Sequence, residues 1–184
     1  MKVKVKARLS FPALFEAEQY QGTGDFNYSA QFLVEEGSEA DKSVREAIKQ
    51  VATEKWKEKA TGVLKGLHNN KQLCCYYEGD IVGRDGYEGM MVLTAKRKEG
   101  DGRPDIRDRD ASPLTEKDGK PYAGCYVNAV VELWAQDNNY GKRVNASLSG
   151  VQFFRDGDAF AGGGAASEDE FDDIAEGATA GDLV

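Results

Sequence analysis

The sequence predicts a mainly β protein with one helix, in which the strands form a small antiparallel barrel and one long loop separates two of them. Several segments alternate apolar and polar residues, a single segment has helical spacing, and glycine-containing turns separate the strands. The length of 184 residues suits one hydrophobic core. We expect a folded domain at residues 1–158 and a disordered acidic tail at residues 159–184.

The chain begins with two predicted strands. Residues 1–10 alternate with a period of two, which indicates a half-buried strand. Its polar face carries Lys2, Lys4, Lys6 and Arg8. A turn at residues 22–25 leads into a second alternating segment, from Phe26 to Val34. The first strand therefore presents a basic outer face.

The predicted helix covers Ser38 to Ala60. Apolar residues fall on one stripe of this segment, and charged residues fill the rest. Ser38 is placed to cap the amino terminus, and Gly62 is expected just past the carboxyl terminus. Because Trp56 lies on the apolar stripe, we expect it to anchor the helix in the core rather than to contact a ligand.

Four further segments complete the predicted barrel. A strand-like stretch at residues 72–77 and a strand at 90–96 precede a long polar loop at 97–121, which we expect to be functional or disordered. Strands at 122–136 and 143–155 then form a hairpin, and Gly150 indicates a bulge or bend in the second of them. Five or six strands with one helix best fit an OB-fold-like antiparallel β-barrel.

Residues that catalytic and metal sites require are scarce. His68 is the only histidine, no C-x-x-C pair is present, and the motifs of phosphate-binding loops, zinc proteases and serine hydrolases are absent. Asp80, Asp85 and Glu88 could in principle hold magnesium, but their glycine-rich setting favours ordinary turns. We expect no enzymatic activity, no cofactor and no metal.

The cysteines leave two alternatives. Cys74, Cys75 and Cys125 are an odd number, which argues against a disulfide framework and favours buried, reduced thiols in a cytoplasm. A vicinal redox pair formed by Cys74 and Cys75 is the other interpretation. The first ten residues also lack the apolar block of a signal peptide, so we expect neither secretion nor membrane insertion.

Three aromatic residues fall on the polar face of the strand at residues 122–136. They are Tyr122, Tyr126 and Trp134. Aromatic rings on a hydrated face suit stacking of nucleobases, since every base presents a π-face. The alternative is that the helix or the long loop covers this face. We interpret the three residues as stacking positions for single-stranded DNA.

Basic residues near these aromatics are candidate phosphate contacts. They are Lys96, Arg97, Arg103, Arg107, Lys142 and Arg143. Acidic residues are interleaved in the long loop, so the loop taken alone is equally typical of a solvated surface. Combined with the basic first strand and the aromatic face, the set predicts a groove for a single strand.

The net charge of −8 is concentrated in the last segment. Residues 159–184 hold seven of the 32 acids and none of the 24 bases, so the preceding residues are nearly neutral. The segment is also rich in glycine and alanine, a composition that predicts disorder. Such tails are often interaction devices, and a purely solubilising tail is the alternative.

Several short motifs resemble a phage protein family. They are Arg8-Leu9-Ser10-Phe11-Pro12, Tyr28-Ser29-Ala30, Asp85-Gly86-Tyr87-Glu88-Gly89, Tyr122-Ala123-Gly124-Cys125-Tyr126-Val127-Asn128, Ser147-Leu148-Ser149-Gly150-Val151-Gln152 and Arg155-Asp156-Gly157. The resemblance covers nearly the whole chain. That family is similar to the replication single-stranded DNA-binding proteins of tailed phages, which combine an OB-type barrel with an acidic tail.

The resemblance implies a non-catalytic binder that coats single-stranded DNA during phage replication or recombination in the cytoplasm of the bacterial host. It also implies that the tail recruits replication proteins such as a polymerase, helicase or primase. The acidic-apolar segment of this tail is Glu170, Phe171, Asp172, Asp173 and Ile174. Unlike many such tails, this one ends in Leu183-Val184 rather than in an aromatic residue. A protein-interaction or virion-associated β-barrel module without nucleic-acid binding is the alternative function.

Overall fold

The computed structural model describes residues 1–160 and consists of seven strands and two consecutive helices. The strands are β1 (Lys2–Tyr20), β2 (Thr23–Glu35), β3 (Tyr76–Glu78), β4 (Met90–Lys98), β5 (Asp105–Arg107), β6 (Tyr126–Asn138) and β7 (Gly141–Arg155). The helices are α1 (Glu39–Trp56) and α2 (Ala60–Leu67). None of the helices in this part of the chain is long and apolar enough to cross a membrane.

Five of the strands form a closed barrel. The hydrogen-bonded order is β4–β2–β1–β6–β7, and a parallel contact between β7 and β4 completes the circle. The other neighbours are antiparallel. Alternate residues of each strand fill the interior, among them Val5, Phe32, Leu93, Leu133 and Leu148, all fully buried. The predicted OB-type barrel is confirmed.

The closure between β4 and β7 is narrow, and we call it the seam. Only Lys96 and Ser147 pair directly across it. A segment before β3 fills the remaining gap: the Cys75 amide donates to the Val144 carbonyl at 3.0 Å, and the Thr94 amide donates to the Cys75 carbonyl at 2.8 Å. The Val144 amide donates a hydrogen bond to the Leu73 carbonyl at 3.0 Å. Backbone groups that β4 and β7 leave unpaired are thus satisfied by residues 73–75.

The predicted helix is confirmed, with a different end. Ser38 caps α1, since its hydroxyl accepts a bond from the Asp41 amide at 3.2 Å. Trp56 is buried as expected and donates its indole N–H to the Asp137 carboxylate at 2.9 Å. Helical structure does not stop before Gly62: Lys57 adopts a positive φ of 52°, which ends α1, and the chain then resumes as α2.

The long loop at residues 97–121 is more ordered than predicted. It contains β5, which pairs in parallel with β7, and Ile106 and Leu114 are buried in the core. Gly150 marks the bulge in β7 that the sequence predicts, because the register against β6 shifts there. A Cβ atom at Gly150 would lie 2.8 Å from the Asp105 carbonyl oxygen. The missing side chain therefore lets β5 lie directly on β7.

The strand predicted at residues 122–136 begins later than expected. Tyr122 precedes β6, and the intervening Gly124 has a φ of +105°, which interrupts the extended backbone. A side chain at Gly124 would collide with the Asp158 carbonyl, so the chain needs glycine here. Within β6 the predicted apolar face is confirmed, since Val127, Ala129, Val131 and Leu133 are all buried.

Asp41 ties the start of α1 to β3. Its carboxylate accepts hydrogen bonds from the Tyr76 hydroxyl at 2.7 Å, the Arg45 Nε at 2.8 Å and the Gly37 amide at 2.9 Å. Burial of the carboxylate would raise its pKa, but these bonds and the charge of Arg45 outweigh burial and lower the pKa of Asp41. The ionised form is therefore the one that stabilises the fold.

We expect Asp41→Asn to lower the free energy of unfolding at neutral pH by about 1.5–3 kcal/mol, the usual contribution of hydrogen bonds to a charged group. Because the folded-state pKa is depressed, the contribution is complete above about pH 4 and is lost as the pH falls through the folded-state value. Urea unfolding at several pH values measures both effects. The control Glu39→Gln removes an exposed carboxylate from the same turn and should cost less than about 1 kcal/mol. An Asp41→Asn variant with wild-type stability would contradict this account.

Candidate nucleic-acid interface

A groove of about 550 Å³ runs over the seam on the outside of the barrel, and we call it the seam groove. Its walls come from β2, β4, β6, β7 and the segment before β3. Five cationic side chains line it: Lys71, Lys96, Arg97, Lys98 and Arg143. Two carboxylates, of Asp101 and Glu132, oppose them. The groove is therefore open, net basic and suited to an extended polyanion.

Trp134 supplies an aromatic surface at the edge of the seam groove. Its side chain is 43% exposed, so neither the helix nor the long loop covers it. The indole Nε1 donates to the Ser147 hydroxyl at 3.0 Å, which fixes the ring orientation from the neighbouring strand. A ring that is exposed to solvent but held by a hydrogen bond at one edge is pre-oriented for stacking.

The predicted cations of the seam groove differ in how many hydrogen bonds they already make to other groups of the protein. Lys96 is exposed and lies on the outer face of β4, beside Ser147. Arg97 also lines the groove, but its guanidinium donates to the Gly102 and Asp101 carbonyls, each at 2.7 Å. The Nε of Arg143 is buried without a hydrogen-bond partner among the described residues. Lys96 and Arg143 are thus the better candidates for ligand contacts.

The floor of the seam groove includes the two vicinal cysteines. Both are free thiols and buried, as is Cys125, which confirms the prediction that the cysteines are buried. A hydrogen bond from the Cys75 thiol lowers the pKa of Cys74 to about 7, and the same contact together with burial raises the pKa of Cys75.

A second groove, of about 800 Å³, lies beside the first half of β1, and we call it the β1 groove. Tyr126 lines this groove and not the seam groove. The Arg155 guanidinium lies 4.3 Å from the centre of the Tyr126 ring. Along β6, eight residues separate Tyr126 from Trp134, a distance of about 27 Å in an extended strand. The two rings therefore belong to different surfaces.

The other predicted site residues line neither groove. The Tyr122 hydroxyl donates to the Asp156 carboxylate at 2.6 Å, and the Arg103 guanidinium lies 5.5 Å from the centre of the Phe15 ring. Arg107 donates to the Asp105 carboxylate at 2.9 Å, and the Lys142 ammonium lies 3.6 Å from that of Asp137. Each of these groups is thus engaged with another protein group, Arg107 and Lys142 within their own loop or turn, and Tyr122 and Arg103 with residues remote in sequence.

Comparison with known proteins identifies the family. The sequence profile of the family described as "Enterobacter phage Enc34, ssDNA-binding protein" matches residues 1–184, which is the whole chain. The chain belongs to this family. A curated relative, protein p50 of Acyrthosiphon pisum secondary endosymbiont phage 1, is 49% identical over 177 residues, which cover 95% of this chain and 94% of the relative.

Solved structures agree with this assignment. The single-stranded DNA-binding protein of bacteriophage Enc34 in complex with ssDNA superposes with a TM-score of 0.70 at 26% identity, over 86% of this chain and 89% of that one. The gp2.5 protein of bacteriophage T7, a single-stranded DNA-binding protein, superposes with a TM-score of 0.62 at 11% identity, over 90% and 98% of the two chains. At that identity the T7 match shows the shared fold alone.

Several residues of this family member reach the grooves without having been predicted as site residues. Lys98 could have been identified, because it alternates with Lys96 on one face of β4. Lys71 could not, since it reaches the seam groove from a loop that is remote in sequence. Exposed aromatics also lie at two hairpin ends, outside both grooves: Tyr20, Phe26 and Tyr140. The five tail residues predicted to bind partners, from Glu170 to Ile174, lie outside the described residues.

Proposed function

We propose that this protein binds single-stranded DNA without catalysis and with little sequence preference, and that the seam groove is the binding site. The main support for this proposal is that one groove is lined by the exposed Trp134, which a hydrogen bond to Ser147 orients, and by the cations Lys96 and Arg143. Bases would stack on the indole while phosphates meet the basic side chains. Base-edge readout is not required by this arrangement, which accounts for the low sequence preference.

The position of the seam groove supports the proposal. OB-folds bind oligonucleotides on the face of their second and third barrel strands and with the loops that follow the first and fourth. The corresponding strands here are β2 and β4, which contribute Asn27 and Lys96 to the groove. The corresponding loops carry exposed aromatic residues, Tyr20 and Tyr140. Membership of the Enc34 family and its solved complex with ssDNA support the same ligand.

We further propose that the protein coats strands exposed during phage replication or recombination in the host cytoplasm, and that its acidic tail recruits replication proteins. The tail's seven acids and no bases support an electrostatic contact, and Phe171 and Ile174 would supply apolar anchors. The described chain ends at Phe160, which lies against the barrel with the Arg8 guanidinium 4.1 Å from its ring centre. The tail therefore starts close to basic residues of the barrel.

A gel shift with a labelled oligothymidylate, with and without magnesium, tests the function. The intact protein should shift the oligonucleotide without cutting it, and Trp134→Ala should weaken binding by about 1–3 kcal/mol because a stacked base is lost. Trp134→Phe should recover most of this loss. The control Phe11→Ala removes an exposed ring outside both grooves and should bind as the wild type does. No shift at all would favour the interaction-module alternative, and cleavage would indicate a nuclease.

Phosphate contacts should appear in the salt dependence of affinity. Each phosphate neutralised on a single strand contributes about −0.7 to the slope of log K against log salt. We expect Lys96→Gln and Arg143→Gln each to flatten the slope by about that amount, with base preference unchanged. Arg107→Gln is the comparison, since this guanidinium is bonded within its own loop. If Arg107→Gln flattens the slope and the other two do not, the long loop rather than the seam groove holds the phosphates.

The tail should compete with DNA for the basic surface. A tethered segment has an effective concentration on the order of millimolar, so even a weak contact is populated when DNA is absent. Deletion of residues 167–184 should therefore tighten DNA binding, chiefly at low salt, where screening is weakest. It should also abolish binding to a replication partner. Equal affinities of the truncated and intact proteins at low salt would show that the tail is not a competitor.

A further inference from the structure

We infer that the β1 groove is a second nucleic-acid-binding site, which receives the same DNA strand after it leaves the seam groove along the lysines of β1. This inference rests on the proposed function, because it extends the path of the ligand proposed there. It assigns phosphate contacts to Lys4, Lys6 and Arg155, none of which belongs to the seam groove. The surface covered by one protein molecule would then include two grooves.

The β1 groove has the charge that a second stretch of phosphates requires. Four cationic side chains line it: Lys4, Lys6, Arg8 and Arg155. Two carboxylates, of Glu35 and Glu39, also line it, at the end of β2 and the start of α1. The cations follow β1 and the end of β7 and outnumber the acids in the lining by four to two. A polyanion would follow the cations.

Most of these cations are available to a ligand. Lys4 and Lys6 are exposed, and no ion pair between described residues includes Lys4, Lys6 or Arg155. Arg8 differs, since its guanidinium donates to the Gly124 carbonyl at 3.1 Å and to the Asp158 carbonyl at 2.6 Å. Arg8 therefore supports the groove, while the two lysines and Arg155 present charge to whatever enters it.

An aromatic ring lies beside these cations. Phe154 lines the β1 groove and is 36% exposed. The Lys6 ammonium lies 5.8 Å from the ring centre, and the Arg109 guanidinium lies 5.3 Å from it. A ring flanked by cations offers both a stacking face and phosphate partners, the combination that binds single strands without sequence preference.

The basic face of β1 connects the two grooves. Lys2 pairs with Glu132, which pairs with Ser147, and Ser147 in turn pairs with Lys96 across the seam. Lys2 thus lies in one cross-strand row with the seam groove. From Lys2 the outward residues Lys4 and Lys6 lead to Arg8, opposite Tyr126, over about 20 Å of extended strand. No acidic residue of β1 interrupts this row.

The continuity of this row favours DNA over an acidic protein segment as the occupant. A separate protein partner would need only the β1 groove, and Lys2, outside it, would have no role. A single strand that already fills the seam groove meets the β1 lysines next. We therefore expect the second site to matter only for strands long enough to reach it.

The test compares a short and a long oligothymidylate, of about 8 and about 30 nucleotides; the first lies within the span of about 4–16 nucleotides usual for one OB-fold, and the second exceeds it. The double variant Lys4→Gln/Lys6→Gln should bind the short strand as the wild type does, which also shows that it is folded. It should bind the long strand at least about tenfold more weakly at low salt, with the salt slope flattened by about 1.4 for two lost phosphate contacts. The matched control Lys49→Gln/Lys55→Gln removes two exposed charges from α1 and should leave both affinities unchanged.

Three results would overturn the inference. Unchanged long-strand affinity in the double variant would leave the β1 groove to another ligand, such as an acidic peptide. If the variant and the α1 control weaken long-strand binding equally, the loss of affinity results from the change in net charge and not from the β1 groove. If the variant binds short and long strands with equally reduced affinity, the β1 lysines belong to the first binding site and not to a second one. If the wild type binds neither strand, the proposed function itself fails, which is a distinct outcome.

Discussion

The rest of the structure depends on how the barrel closes. A sheet that curls into a barrel must pair its last strand with its first, or else leave backbone donors and acceptors unpaired. Here β4 and β7 pair directly at only one position, Lys96 with Ser147, and residues 73–75 satisfy the neighbouring groups. The closure is therefore partial at the surface, and the seam groove is the space that remains. Its floor includes Cys74 and Cys75, which belong to the segment that completes the closure.

The seam also explains why the groove combines distant parts of the chain. Residues 73–75 follow the two helices that connect β2 to β3, and α1 packs against β1, β2 and β6. Asp41 holds the start of this excursion against Tyr76, which lies in β3 directly after the seam segment. Trp56 holds the end of α1 against Asp137, near the β6–β7 turn. Two long-range polar contacts thus fix the helical region relative to the groove.

Local patterns of the sequence were sufficient for most of the barrel strands and for α1, but not for β5 or for the site. Strands β1, β2 and β6 follow from their period of two, α1 from its apolar stripe and the bulge in β7 from Gly150. The predicted start of β6, at residue 122, was wrong because the alternation of side chains does not reveal the positive φ of Gly124, which interrupts the strand. The strand β5 inside the long loop was not predicted, because it is stabilised by pairing with β7 and not by its own three residues. The seam groove depends on pairing between strands that are far apart in sequence, so Trp134 and Lys96 could be named while Lys71 could not.

Trp56 and Trp134, the only two tryptophans of the chain, lie in opposite environments. Trp56 is buried and bonded to a carboxylate, whereas Trp134 is 43% exposed at the edge of the seam groove. The intrinsic emission of the protein is therefore the sum of a shielded fluorophore and a solvated one. Aqueous quenchers reach only the second, so a Trp134→Phe variant isolates the signal of Trp56 and reports unfolding alone. In the wild-type protein, any ligand that covers Trp134 would lower the quenchable fraction, and no attached dye is needed to detect it.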